Sequence, residues 1–276
     1  MKQDVAFDSQ GLKLSGCLYI PDNAPNGRLP AIVVSHPAAG VKEQTAGIYA
    51  HRLCEEGFVT LTFDCAYHSE SEGSPRGLED PAHRVEDIKN VVSFLPHNER
   101  VDQDHIGLLG IYASSGYAVT AAATDICVKA IATVSGVDLG SFFRKGYNGQ
   151  QDPSIFKAQL ENAARARTAA AAGAKMESFP VFPTEEATAR QLGGYVYEGW
   201  EYYTTPRGFH PRSVKSMPWL SVDKLASFFG FGRPLLMVVG TRAETKWMAE
   251  EAPRQDTRDG LSVSDAGDGL RSCAAV

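Results

Sequence analysis

Residues 110–116 read Gly-Ile-Tyr-Ala-Ser-Ser-Gly, and the spacing of their small side chains limits the chemistry they can support. A side chain raised for nucleophilic attack at a sharp strand-to-helix turn needs small residues two before it and two after it. Strand and helix backbones nearly touch there. Gly110 and Ser114 fill those positions, which puts Tyr112 at the apex. A phenol, with an ordinary pKa near ~10, is a poor acyl acceptor at neutral pH unless strongly activated. Moving the frame two residues on puts Ser114 at the apex with Gly116 behind it, but Tyr112 then falls where a glycine is needed. Tyr112 is therefore the residue the spacing selects, with Ser114 and Ser115 as substitutes. The chemistry such a turn serves is acyl transfer.

The flanking segments say what would hold that turn. HIGLLGIY (105–112) reads as a buried strand and SGYAVTAAATD as the helix after it. AIVVSHP (31–37), FVTLTFDC (58–65), KAIATVSGV (129–137) and RPLLMVVGT (233–241) are further apolar runs that read as strands. Between them lie helical patterns, KEQTAGIYAHRLCEEG (42–57) and LEDPAHRVEDIKNVVSFL (78–95), the latter with Val85, Ile88, Val92 and Leu95 on one face. Strands apolar throughout and alternating with helices predict an α/β fold, a mostly parallel sheet with helices on both faces. The alternating stretch Val5 to Pro21 around Gly11 predicts an antiparallel hairpin at the sheet edge. About ninety residues after Val137 lack a core-strand pattern. This predicts a single domain over 1–276 with 141–228 as a helical insertion, either a lid over a pocket or a side decoration. Tyr195, Tyr197, Trp200, Tyr202 and Tyr203 within it either line an apolar pocket or pack the insertion itself.

Composition narrows the function classes. The chain has 276 residues, 43% hydrophobic and 22% charged, with a net charge of −6. Its scattered basic residues make no stripe for nucleic acid or an anionic membrane surface. No run approaches the length of a membrane span, and the N-terminal stretch has no apolar signal core. Five widely spaced cysteines show no metal spacing and predict free thiols in a reducing, cytoplasmic setting. Neither a metal nor a cofactor is expected.

SHPAAGVKEQ (35–44), FDCAYHSESEGSPRG (63–77), LEDPAHRVEDI (78–88), GIYASSGYA (110–118) and GTRAETKWM (240–248) occur in an order and spacing that resemble the dienelactone-hydrolase-like α/β hydrolases. These are often labelled X-Pro dipeptidyl-peptidase-type. The resemblance implies an α/β-hydrolase fold and hydrolysis of an ester, lactone, thioester or related acyl substrate. In it Tyr112 takes the family's cysteine position and Glu244 the acid position. The backbone N–H groups of Ala38 and Ala113 take the oxyanion hole. The family's late histidine has no counterpart, since the last histidine is His210. His68 and His210 stand as substitute bases, while His36 belongs to the turn that shapes the oxyanion loop. The tail after Glu244 lacks periodicity and does not resemble the family's last strand, histidine loop and closing helix. That predicts a shifted reading frame, an open sheet edge and self-association into a homo-oligomer. The second functional reading is a catalytically inactive protein of this fold that binds a small apolar ligand or a partner.

Overall fold

The computed structural model describes residues 1–22, 26–146 and 148–228, together with strands at 236–240 and 263–266. The chain opens on a hairpin of β1 (Lys2–Ser9) and β2 (Leu12–Tyr19). Gln10 and Gly11 at its tip have φ of 51° and 79°, the paired left-handed conformation that matches strand twist in a two-residue turn. There follow β3 (Leu29–Ser35), α1 (Thr45–Glu55), β4 (Val59–Phe63), α2 (Pro81–Phe94), β5 (Val101–Ile111), α3 (Ser114–Ala122) and β6 (Val128–Val134). After a segment of helices and short strands, β9 (Leu236–Gly240) and β10 (Val263–Ala266) complete an eight-stranded sheet of order β1-β2-β4-β3-β5-β6-β9-β10. The pairs β1–β2 and β2–β4 are antiparallel and the others parallel.

The period-two geometry of strands sorts the central residues onto two faces. Val33, Ile106 and Leu108 join Val85, Ile88 and Val92 of α2 and Ala118 of α3 on one face. Val34, Leu109 and Ile111 pack with Ala46 and Ala50 of α1 on the other. The centre of the sheet is thus covered on both sides, as its unbroken apolar strands predict, while Lys129 and Ala130 of β6 are exposed. One expectation needs correcting. The C-terminal tail supplies β10, parallel to β9, where no strand is legible, because four residues are too short a run to show a period.

α2 starts at Asp80, whose carboxylate accepts the Ala82 N–H at 3.0 Å, with Pro81 in the first turn. Asp80→Ala is expected to cost about 1 kcal/mol, read as a lower urea midpoint at unchanged slope.

Between β6 and β9 come α4 (Leu139–Lys145), α5 (Pro153–Ala171), β7 (Ser178–Pro180), α6 (Glu186–Gln191), α7 (Gly194–Thr204), β8 (Ser216–Pro218) and α8 (Leu220–Ala226). β7 and β8 pair with each other as a separate small sheet. Residues 208–214 of this segment bind the core. The Val214 N–H donates to Ala39 O at 3.0 Å, Gln44 Nε2 donates to Gly208 O at 2.5 Å, and Ser213 Oγ donates to Gln44 Oε1 at 3.0 Å. Arg212 adds ion pairs to Glu43 and Glu70 at 2.6 and 2.8 Å. Among the described residues, no helix is long and apolar enough to cross a membrane.

Candidate active site

β5 ends at Ile111, and the chain turns at Tyr112 with φ of 55°. That left-handed conformation costs a non-glycine residue about 1–2 kcal/mol. Three backbone hydrogen bonds hold it. The Tyr112 N–H donates to Val134 O at 2.9 Å, and Tyr112 O accepts from Ser115 N–H at 3.0 Å and Val137 N–H at 3.1 Å. The turn is tight enough that a Cβ on Gly110 would sit 2.5 Å from Ser114 O and 2.7 Å from Ser115 Cα. The left-handed residue of this turn is Tyr112.

The two substitute nucleophiles are placed elsewhere. Ser114 and Ser115 are fully buried. Ser114 Oγ accepts from Ser35 Oγ at 2.9 Å and donates to His36 O at 2.6 Å, and Ser115 Oγ donates to Gly110 O at 3.0 Å. Both hydroxyls brace backbone, and neither residue lines the cavity described below.

The pairing of Ser35 with Gly110 across β3 and β5 brings the turn after β3 beside the apex. In that turn, Pro37 O accepts from Gly40 N–H at 2.9 Å and from His36 Nδ1 at 2.6 Å. His36 Nε2 accepts the Cys65 N–H at 3.2 Å, which assigns the proton to Nδ1. Burial, reinforced by the Arg84 charge, holds the His36 pKa well below the ordinary imidazole range, so the ring stays neutral. Among the described residues, no acceptor takes the N–H of Ala38 or of Ala113. These are the two amides expected to face an oxyanion.

Beneath the turn lies a fully buried polar cluster. Arg84 Nε donates to Glu79 Oε1 at 3.0 Å, which also accepts the Tyr117 hydroxyl at 2.7 Å. Arg84 also reaches His36 Nε2 at 3.3 Å, His36 O at 3.2 Å and Cys65 Sγ. Burial raises the Glu79, Cys65 and Tyr117 pKa values. His68 is fully buried here too, its Nε2 3.1 Å from Leu78 O and 3.7 Å from Glu79 Oε2, and burial lowers its pKa. His210 Nδ1 accepts the Arg212 N–H at 3.3 Å. Neither histidine is part of the cavity wall. Sequence reasoning missed Arg84, Glu79 and Tyr117; the first two stand in the charged LEDPAHR segment leading into a core helix, and Tyr117 in the helix after the turn.

Above the apex is a cavity of about 270 Å³. Pro37, Ala38 and Ala39 and the half-buried Tyr112 form its floor. Leu139, Phe142 and Phe143 of α4, Gln159 of α5, Phe179, Val181 and Phe182 near β7, Tyr195, Val196 and Tyr203 of α7 and Met217 of β8 form its walls. The rings of Tyr112 and Tyr195 stack with centroids 6.1 Å apart. Of the insertion's other aromatics, Tyr197 and Trp200 stack on each other, and the Tyr202 hydroxyl lies 3.0 Å from Thr45 Oγ1. Among the described residues the wall has no charged side chain. Nor do those residues hold three or more His, Cys, Asp or Glu side chains grouped to bind a metal. Glu244 lies outside the described residues.

Residues 14–182 match the model of the dienelactone hydrolase family. The chain belongs to that family. Its relatives include the uncharacterized protein YcjY of Escherichia coli, 35% identical over 288 residues, spanning 98% of this chain and 94% of that protein. The thiohydrolase aneE of Aspergillus aculeatus is 38% identical over 124 residues, 45% of this chain and 38% of aneE. In structure the chain is similar to the hypothetical protein PA2218 of Pseudomonas aeruginosa, with a TM-score of 0.84 and 30% identity over 97% of this chain and 84% of that one. The fold of this dienelactone hydrolase family member is the α/β-hydrolase fold, with a mostly parallel central sheet.

Proposed function

We propose that this protein is a hydrolase of uncharged acyl substrates, whether esters, lactones or thioesters. Tyr112 stands at its nucleophile position, Ala38 and Ala113 supply the oxyanion hole, and Glu244 is the acid partner. One observation carries this reading: a left-handed turn at Tyr112 against an apolar cavity, next to two backbone N–H groups that find no acceptor among the described residues. Preorganised amides aimed at a developing oxyanion stabilise the transition state by about 3–4 kcal/mol per donor. The start of α3 adds its partial positive charge at the same place. The aneE name supports the thioester end of the substrate range.

The wall also sets the substrate's charge. Away from the two amides, a carboxylate against that apolar wall is desolvated and unpaired. In competition against p-nitrophenyl butyrate, a neutral benzyl ester is expected to bind at least about tenfold more tightly than the same skeleton carrying a free carboxylate. Equal binding would remove the substrate class proposed.

Tyr112 itself favours a second reading, a ligand-binding protein without turnover. A phenol is mostly protonated at neutral pH, and no histidine lines the cavity among the described residues. Incubation with p-nitrophenyl esters separates the two: burst release of nitrophenol and a covalent acyl adduct at Tyr112 belong to the first only.

A further inference from the structure

We propose that Arg84 is a positioning residue for the oxyanion donor at Ala38, acting through His36. The inference rests on the acyl-transfer reading of the site. A trans peptide unit is planar, so fixing the Pro37 carbonyl also fixes the Ala38 N–H, which points the opposite way. His36 Nδ1–H holds that carbonyl at 2.6 Å, and does so only in one tautomer. Arg84 enforces that tautomer with a second donor, Nη1, 3.3 Å from His36 Nε2. With Nη2 it also grips the His36 carbonyl at 3.2 Å, the oxygen that Ser114 Oγ holds at 2.6 Å. One guanidinium thus restrains both the ring and the backbone of the residue that aims the Ala38 amide.

Arg84 is locked in turn. Its Nε meets Glu79 Oε1 at 3.0 Å, and its guanidinium carbon lies 5.3 Å from the centre of the Tyr117 ring. The fork geometry is essential. A lysine carries all its donors on one nitrogen and cannot span Glu79, the imidazole and the carbonyl together. Arg84→Lys keeps a cation beside Glu79 while releasing His36.

The test compares the full chain with Arg84→Lys by calorimetric binding of two probes. One is benzyl methylphosphonate, a tetrahedral anion, and the other is the uncharged ketone 4-phenylbutan-2-one. Arg84→Lys is expected to weaken phosphonate binding about tenfold and to change ketone binding by less than about twofold. In long-range ¹H–¹⁵N spectra, His36 is expected as the Nδ1–H tautomer in the parent, with its Nε2 resonance shifted in the variant as the Arg84 donor is lost. A folded variant with parental phosphonate affinity and a parental His36 Nε2 resonance overturns the proposal. Should Arg84→Lys fail to fold, the parent spectrum and Ser114→Ala decide. An Nε2–H tautomer in the parent overturns the proposal. The Nδ1–H form, with weakened phosphonate binding in Ser114→Ala, supports it. A parent chain that binds the ketone but not the phosphonate defeats the acyl-transfer reading as well. A parent that binds both, with Arg84→Lys unchanged, defeats the role of Arg84 alone.

Discussion

Tyr112→Cys is expected to raise nitrophenyl ester cleavage at pH 8 by at least about tenfold. At that pH an ordinary thiol, with a pKa near ~8.5, is about one quarter ionised, whereas an ordinary phenol near ~10 is about one per cent ionised. The difference in nucleophile population alone is about 25-fold, before the greater intrinsic reactivity of sulfur is counted. The backbone need not change, since the left-handed φ of 55° is held by main-chain hydrogen bonds with Val134, Ser115 and Val137 rather than by the side chain. Stopped-flow release of nitrophenol, with mass spectrometry of the acyl adduct, measures the outcome. A rate equal to the parent's would show that the apex takes no part in the chemistry.

Gly110→Ala is expected to cost about 3 kcal/mol or more, because the added methyl meets main chain and not a movable side chain. The clash is with Ser114 O at 2.5 Å and Ser115 Cα at 2.7 Å, so relief requires α3 to move off β5. That displacement also shifts the Ala113 amide, so residual activity should fall further than the folded fraction. A urea unfolding curve and a rate normalised to folded protein together check it. A midpoint matching the parent's would mean that strand and helix do not approach as described.

The parallel sheet, the edge hairpin and the sharp turn at residue 112 were legible, because each rests on a local rule: unbroken apolar strands, a glycine at a tight turn, small residues flanking Tyr112. The roles of Ser114 and Ser115 were not. A hydroxyl that braces a carbonyl and one that attacks a substrate share the same letter, and only burial separates them. The Arg84 cluster was hidden for a related reason. In α2, Val85, Ile88 and Val92 mark the buried stripe correctly, yet Arg84 and Asp87 are buried as well. Helical periodicity assigns such polar positions to solvent. What meets them is Ser9 at the end of β1, His36 after β3, and Cys65 and Ala66 after β4, contacts far away in sequence. The cavity wall is equally nonlocal, since Phe142, Phe179, Tyr195 and Met217 come from four separate elements of the insertion or their flanks.

The docking of residues 208–214 has a mechanical consequence. Val214 is bonded to Ala39, within the same turn that carries Ala38. Lifting that stretch away to admit a bulky acyl group would pull on the turn and misalign its amide. The proposed donor at Ala38 thus depends on the docking of residues 208–214, so that loosening it, as in Gln44→Ala, is expected to disturb the turn as well as the segment.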